Sequence, residues 1–295
     1  MNKIKIITDS NSGITQKEGE ELGVFVIPMP FTIDCEEYLE EISISQEKFY
    51  DFLNNNSDVK TSQPSRFYLQ ELWDNLLTEY DEVLYIPMSS GLSGTCVNAT
   101  NLSKEYNGKV LVVDNKRISV TQKLSVLTAL SLAKSGKTIS EIKQYLEDEK
   151  NLTSIYITLG TLKYLKKGGR ITATAAALGS VLRIKPILFS NGGNFEKFAM
   201  TINMGQAKKK IIQQLKIDLE TKFKDLYEKG QMAVSVAHTQ NEQEAIKFKE
   251  EIINELPNLK FAYIDPLSLS VSCHIGPGAL AAALHPDTFS VLNEK

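Results

Sequence analysis

Residues 89–95, SSGLSGT, have the composition of an anion-binding loop. Four hydroxyl side chains and two glycines lie between the end of a predicted strand and the start of a predicted helix. The first N–H groups of a helix have no intrahelical partner and lie at the positive end of its dipole, and glycine lets a ligand approach the backbone. The segment therefore fits a carboxylate or phosphate site, and it equally fits an ordinary turn in which a serine caps the helix.

The same segment also suggests a serine hydrolase. Gly91 and Ser93 are spaced as in the G-x-S-x-G nucleophile elbow, and Asp265 and His274 follow in the chain order of an α/β-hydrolase. However, Thr95 occupies the last position, where the strained turn needs a small residue, and no HGGG-like segment lies upstream. A serine esterase using Ser93 is therefore the alternative function.

A second hydroxyl-rich segment, TSQPS at residues 61–65, precedes the clearest amphipathic helix pattern in the chain. Ser65 is expected to cap that helix, with Pro64 near its first turn, where a missing N–H costs nothing. Thr61 and Ser62 are outside this capping role. They are expected to donate hydrogen bonds to a ligand, although surface loops often have this composition.

Two further segments combine glycines with a residue suited to an anion. Residues 165–171, LKKGGRI, end a short predicted helix and then present Arg170, one of only four arginines beside 29 lysines. Arginine binds carboxylate or phosphate through two parallel hydrogen bonds, although any positive charge is favourable at a helix C-terminus. Residues 274–279, HIGPGA, join His274 to a rigid turn that is expected to open a helix of small residues; a lone histidine is often structural.

Composition excludes several classes of function. The 295 residues are enough for about two compact domains, and a net charge of -3 gives no basic face for nucleic acid. The longest apolar run is about six residues, far below the roughly 20 of a membrane-spanning helix. The N-terminus lacks the apolar region of a signal peptide, so we expect a cytoplasmic protein. Three cysteines and three histidines form no zinc pattern, so no metal is expected and the cysteines are expected to be free thiols.

The first half of the chain alternates strands with helices. Apolar runs that indicate strands are residues 3–7, 82–87, 109–113 and 154–159. Helical patterns separate them, two of which open with capping boxes at Thr15 and Thr138. This alternation predicts a mostly parallel sheet. The run at 24–31 contains two prolines and indicates an edge strand or an extended connection.

The second half has a hairpin signal at residues 184–200, around the NGGN turn, so antiparallel pairing is expected there. A lysine-rich helix over 204–228 follows, and then strand, helix and strand patterns. These patterns predict an N-terminal α/β domain over residues 1–165 and a C-terminal α/β domain over 166–295. The segment after about residue 270 is expected to pack back on the ligand site.

Five segments, taken in order, resemble the DegV family of fatty-acid-binding proteins. They are TDS at 8–10, TSQPS at 61–65, SSGLSGT at 89–95, KGGRI at 167–171 and HIGPGA at 274–279. The resemblance spans nearly the whole chain. It implies a mostly parallel sheet in the N-terminal domain, a mixed sheet in the C-terminal domain, and one long-chain fatty acid, such as palmitate, held between the two.

The resemblance also implies roles for particular residues. The residues expected around the fatty acid carboxylate are Thr61, Ser62, Ser93, Gly94, Thr95 and His274. Family members of the FakB type present the bound acid to a separate kinase subunit, which makes acyl phosphate, and Arg170 and His274 would then assist phosphoryl transfer. This implies a lipid-binding protein that is not itself an enzyme and needs no cofactor beyond its lipid.

The nucleotide would then bind elsewhere. The chain contains no P-loop of the G-x-x-x-x-G-K-[ST] type, which fits a kinase partner that binds the nucleotide. A self-sufficient small-molecule kinase is the third possibility, because dihydroxyacetone kinases share a related fold by family resemblance.

Overall fold

The computed structural model describes residues 2–176 and 184–287, and it divides into two compact units. Unit 1 is Met1–Asn151 with Ser268–Ser270, and unit 2 is Leu152–Leu267 with Val271–Lys295. Residues 177–183 and 288–295, which the sequence assigned to the C-terminal domain, lie outside the described residues. Along the described parts of the chain, no helix is both long enough and apolar enough to cross a membrane.

Unit 1 contains seven strands and six helices within the described residues. The strands are β1 (Ile4–Asp9), β2 (Phe25–Ile27), β3 (Pro30–Ile33), β4 (Glu36–Leu39), β5 (Val59–Thr61), β6 (Glu82–Ile86) and β7 (Val110–Val112). The helices are α1 (Gln16–Leu22), α2 (Gln46–Asn54), α3 (Arg66–Leu76), α4 (Thr95–Ser103), α5 (Val120–Lys134) and α6 (Ile139–Asp148). The capping box predicted at Thr138 is present at the start of α6.

The main sheet of unit 1 has the strand order β2-β1-β6-β7, and all of its neighbouring pairs are parallel. This confirms the predicted N-terminal parallel sheet. The strand order reverses between β1 and β6, because β1 leads to β2 on one side and β6 leads to β7 on the other. Ligands of doubly wound sheets bind at such a reversal, outside the carboxyl ends of the strands.

The main sheet of unit 1 is covered on both faces. Helices α3 and α4 close one face, where the buried Trp73 ring lies edge-on to Tyr85 and Tyr106, at centroid distances of 6.4 and 5.3 Å. Helix α5 packs on β1 and β6, and ten of its fifteen residues are buried. The sheet is thus enclosed on both faces, which explains why the sequences of its strands are nearly continuous apolar runs.

A second sheet in unit 1 has the order β4-β3-β5 and is antiparallel. The sequence indicated an edge strand or an extended connection over residues 24–31, and β2 is an edge strand of the main sheet. Pro28 separates β2 from β3 there, so the run belongs to two different sheets. Neither β4 nor β5 was predicted, because β4 is largely exposed and β5 has only three residues, so neither has a clear alternation of apolar and polar positions.

Unit 2 is built around one mixed sheet. Its strands are β8 (Ser154–Thr158), β9 (Lys185–Ser190), β10 (Glu196–Thr201), β11 (Met232–His238), β12 (Lys260–Pro266) and β13 (Leu280–Pro286). The remaining helices are α7 (Lys163–Gly168), α8 (Ala173–Ala176), α9 (Met204–Glu220), α10 (Lys224–Glu228), α11 (Glu242–Glu255) and α12 (Leu269–Ile275). The sheet order is β10-β9-β8-β13-β11-β12, in which only β11 and β12 pair in parallel. The mixed sheet and the β9–β10 hairpin are therefore confirmed.

Four sequence predictions differ from the structure in unit 2. The sequence grouped β8 with the parallel strands and placed the boundary at residue 165, but β8 pairs antiparallel with β9 and β13, so unit 2 begins at Leu152. The predicted helix over 204–228 is two helices, because the chain turns between α9 and α10.

The prediction of a helix after residues 274–279 is wrong, because the chain that follows this turn forms strand β13. All seven residues of β13 are buried, and the strand lies between β8 and β11 in the middle of the sheet. Alanine and leucine favour helices when exposed, but small side chains also suit a central strand that is covered on both faces. Tertiary packing therefore outweighs local propensity here.

Candidate functional site

The hydroxyl loop, residues 89–95, follows β6 at the reversal of strand order in unit 1. The N–H groups of Leu92 and Ser93 both donate to the carbonyl of Ser89 at 3.1 Å, so the loop closes as a tight turn. Helix α4 then begins at Thr95 behind Gly94, which supplies no side-chain cap. The loop thus ends at a helix N-terminus that is suited to an anion.

The hydroxyls of Ser93 and Thr95 lie together at this helix N-terminus. Ser93 Oγ accepts a hydrogen bond from the Thr95 N–H at 3.2 Å and lies 3.0 Å from Thr95 Oγ1. Ser93 is half-buried and Thr95 is buried. Because a hydroxyl has one donor and two acceptor positions, Ser93 can accept from the backbone and still donate its proton to a ligand.

The other two serines of the hydroxyl loop hold the turn itself. Ser89 Oγ accepts from the Gly91 N–H at 3.1 Å, and Ser90 Oγ donates to the Asp114 carboxylate at 2.6 Å. Asp114 also accepts from the Ser90 N–H at 3.3 Å. These contacts distinguish Ser89 and Ser90, which are structural, from Ser93 and Thr95.

The Thr61 segment, residues 61–65, joins β5 to α3. Thr61 pairs with Phe31 at the end of β5, and the Ser62 N–H donates to the carbonyl of Pro30 at 3.0 Å. Ser65 Oγ accepts from the backbone of the first turn of α3, at 3.1 Å, which confirms the predicted cap. The backbone of this segment is therefore anchored at both ends, while Thr61 is half-buried and Ser62 is exposed.

A contact between Gln63 and Asn98 brings the Thr61 segment to the start of α4. Gln63 Oε1 accepts from Asn98 Nδ2 at 3.0 Å, and it lies 3.2 Å from the position that a Cβ on Gly94 would occupy. Gly94 thus leaves room for this close approach. The sequence assigned no role to Gln63 or Asn98, because nothing in their spacing of 35 residues indicates a contact. The structure brings together the two segments that contain Thr61, Ser62, Ser93, Gly94 and Thr95.

Buried polar side chains support the carboxyl ends of β1 and β6. Asp9 is buried at the end of β1, and its carboxylate accepts from the Met88 N–H at 3.0 Å and from Gln122 Nε2 at 3.1 Å. Burial raises the pKa of Asp9. Since Met88 immediately precedes the hydroxyl loop, Asp9 fixes where that loop leaves the sheet.

Glu40 is a second buried carboxylate of unit 1, and it contacts Ser10, the residue that follows Asp9 in the chain. It accepts from Ser10 Oγ at 2.6 Å and from the N–H of Leu269, the first residue of α12. Burial raises the pKa of Glu40 to about 7. Residues 268–270 thereby belong to unit 1, although the chain on either side of them belongs to unit 2.

In unit 2, the structure brings Arg170 close to His274. Helix α7 ends at Gly168, the Gly169 backbone has a φ of 70°, and Arg170 Nη1 donates to the Gly168 carbonyl at 2.6 Å. A Cβ on Gly168 would lie only 2.0 Å from His274 Nδ1, so glycine is needed there. Burial, and then the charge of Arg170, lower the pKa of His274 to about 4, so the imidazole is neutral at pH 7.

The family model described as "Uncharacterised protein, DegV family" matches residues 3–287 of this chain. The chain belongs to the DegV family. Protein DegV of Bacillus subtilis is 31% identical over 281 residues, which cover 94% of this chain and 97% of that protein. A DegV domain-containing protein of Clostridium perfringens is 31% identical over 297 residues, covering 98% of this chain and 99% of that one.

Solved structures of the DegV family share the fold. The Bacillus subtilis structure, described as DegV, a fatty acid binding protein, is 29% identical with a TM-score of 0.81, covering 96% of this chain and 99% of that one. A DegV family protein from Thermus thermophilus, described by its fatty acid binding, is 25% identical with a TM-score of 0.85 and the same coverage. The resemblance predicted from five short segments is thus confirmed over nearly the whole chain.

Proposed function

We propose that this DegV family protein binds one long-chain fatty acid and holds the carboxylate at the start of α4. The observation that carries the proposal is the Gln63–Asn98 contact, which joins two hydroxyl-bearing segments at the N-terminus of α4, where the N-cap residue is Gly94. The fatty acid binding described for two solved relatives supports the choice of ligand. Thr61 and Ser93 would donate to the carboxylate oxygens.

Neutral donors suit this ligand better than a buried cation would. A hydroxyl or backbone N–H stabilises a carboxylate at a helix N-terminus without the cost of desolvating a second charge. The acyl chain then supplies most of the affinity, because burying a methylene contributes about 0.8 kcal/mol and roughly sixteen carbons give on the order of 12 kcal/mol. A hydrogen bond to a charged group contributes about 1.5 to 3 kcal/mol, against about 4 to 15 kcal/mol lost on association.

We further propose that the bound acid is presented to a separate kinase subunit. A carboxylate oxygen would attack the γ-phosphorus of ATP, so that acyl phosphate forms and ADP leaves. Arg170 would stabilise the negative charge on the transferred group, as cations do in phosphoryl transfer. His274, which is neutral at pH 7, would act there as a hydrogen-bonding group and not as a second cation.

Esterase chemistry would need a base for Ser93, and unit 1 contains no histidine. His274, which this proposal assigns to the same carboxylate, has a pKa lowered to about 4, so it is a weak base. Ser93 Oγ instead accepts from the backbone of α4. A fluorophosphonate probe should therefore leave Ser93 unlabelled, and an adduct on Ser93 would favour the esterase.

Delipidation and titration test the proposed ligand site. Mass spectrometry of the natively purified protein should find about one fatty acid per chain, and titration of the delipidated protein should restore it. Ser93→Ala should weaken binding about 10- to 150-fold, by the loss of one charged hydrogen bond, while leaving substantial affinity from the tail. Thr100→Ala, which removes an exposed hydroxyl from α4, is the matched control. Complete loss of lipid binding by a folded Ser93→Ala protein would contradict tail-dominated binding.

A further inference from the structure

A cavity of about 290 Å³ opens on unit 1, between the β3–β4 hairpin and the start of α3. We call it the acidic pocket. Its lining includes Pro30, Phe31, Glu37, Leu39 and Tyr68, together with residues 62–65 of the Thr61 segment. Proline, aromatic and aliphatic side chains thus make most of its wall, while Glu37 places a carboxylate at its lining. A cavity of this size accommodates one or two protein side chains.

A large apolar side chain of the acidic pocket is exposed to water. Leu39, which lines the pocket, is 41% exposed. Water-exposed aromatic and aliphatic groups around a concave surface are typical of a protein interaction site. The apolar character of the acidic pocket therefore calls for an occupant with an apolar side chain.

The charge beside the acidic pocket selects the kind of occupant. Residues 34–41 contain four exposed carboxylates and no lysine, arginine or histidine, whereas the fifth carboxylate, Glu40, is buried. Glu37 is exposed, and its carboxylate forms no hydrogen bond or ion pair with the described residues. On β5, which lies on the other side of β3 from Glu37, the Lys60 ammonium is already paired with Asp58 at 2.8 Å. The negative potential here favours a cationic partner.

The openness of the acidic pocket and the charge of Glu37 exclude a fatty acid, a nucleic acid and an anionic lipid surface as its occupant. The acidic pocket is half-open to solvent, whereas a bound acyl chain favours a site that removes most of its surface from water. Glu37 would also repel a fatty acid carboxylate, a nucleic acid phosphate or an anionic lipid surface. A side chain of a protein, flanked by lysine or arginine, satisfies both the apolar wall and the carboxylate.

We propose that the acidic pocket docks a segment of a partner protein, which inserts an aromatic or aliphatic side chain and pairs an adjacent lysine or arginine with Glu37. The Thr61 segment forms one wall, so the docked partner touches the backbone that also carries Thr61. The proposal depends only on the acidic pocket and its charge, and it does not require that the protein bind lipid.

Two synthetic peptides test the proposal against the full-length protein. The basic probe is acetyl-Gly-Lys-Leu-Phe-Lys-Gly-amide, and the acidic probe has glutamate in place of both lysines. Titration of the ¹⁵N-labelled protein, followed by amide chemical shifts, should show the basic probe shifting residues 30–39 and 62–68. The acidic probe should bind at least about fivefold more weakly, because like charges meet at Glu37.

Charge-reversal variants then locate the contact. Glu37→Lys should weaken the basic probe about fivefold and strengthen the acidic probe, whereas Glu79→Lys, which makes the same charge change at another exposed site of unit 1, should change neither. Equal binding of both probes, shifts elsewhere, or no effect of Glu37→Lys would overturn the proposal. It would also be overturned if palmitate, or vesicles of anionic phosphatidylglycerol, shifted the same residues while the basic probe did not.

Discussion

At the scale of single residues, the sequence predicts where hydroxyl side chains cluster, but it does not predict which of them hold the local turn and which can bind a ligand. The sequence indicates a cluster of hydroxyls at residues 89–95, yet only the structure distinguishes Ser90, which donates to Asp114, from Ser93, which remains able to donate to a ligand. Asp114 lies 24 residues further along the chain. A partner at that separation depends on how β6 and β7 pair, which no local pattern records.

The ionisation of His274 gives a prediction at this scale. Burial and the charge of Arg170 lower its pKa to about 4, so NMR titration of the imidazole should show no protonation above about pH 5. Arg170→Met should raise the pKa of His274, but to a value still below 6.5, because burial is the larger cause. Lys166→Met, which removes a charge from an exposed position of α7, should leave the pKa of His274 unchanged. A pKa that stays the same in Arg170→Met would contradict the proposed coupling.

Glu40 makes the stability of unit 1 depend on pH. Its pKa rises from 4.5 to about 7 on folding, so the folded chain binds more protons than the unfolded chain between these values. The free energy of unfolding should therefore fall as the pH rises from 4.5 to 7, by up to about 3 kcal/mol. Asp9, whose pKa is also raised by burial, acts in the same direction.

Urea unfolding at pH 5 and pH 7.5 measures this dependence. Trp73, the single tryptophan, lies in α3 and reports on unit 1 by fluorescence. Glu40→Gln should reduce the loss of stability between the two pH values, and Glu37→Gln, at an exposed position, should not. An unchanged pH dependence in Glu40→Gln would show that Glu40 does not titrate in this range.

At the scale of elements, periodicity identifies those that lie in regular layers. Strands β6 and β7 were predictable because each is a mostly buried apolar run, and helices α3 and α6 were predictable because each has a capping residue and one apolar face. Strand β13 was not, because its alanines and leucines suit a helix equally well until β8 and β11 are known to flank it. Strand β4 escaped prediction for the opposite reason, since its exposed, charged residues show no apolar face.

The end of α7 gives a prediction at the scale of elements. Gly168→Ala would place a methyl group 2.0 Å from His274 Nδ1, so the imidazole must move or the helix end must shift. Such overpacking costs about 1 to 3 kcal/mol. Thermal unfolding should show this loss, and the imidazole signals of His274 should change. Gly205→Ala, where the nearest atom would be 3.5 Å away, is the control, and equal behaviour of the two variants would contradict the close approach.

At the scale of the whole molecule, the family could be predicted because five short segments occur in the right order. Each segment alone is weak evidence for the family, and the match over residues 3–287 shows that the five segments together identified it correctly. The division into units was harder to predict. Residues 268–270 join unit 1 through Glu40 and Asn11, contacts that span about 230 and 260 positions of sequence. Sequence patterns indicate contacts between residues that are close along the chain, so they do not predict contacts of this kind.

The central claim, that Thr61 and Ser93 hold a fatty acid carboxylate, is tested most directly by carboxyl-labelled palmitate. In ¹³C NMR, the delipidated protein with one equivalent of [1-¹³C]palmitate should give a single bound carboxyl resonance. That resonance should shift in both Thr61→Val and Ser93→Ala, while Thr100→Ala leaves it in place. Absence of a bound resonance, or one that is the same in all four proteins, would contradict the account.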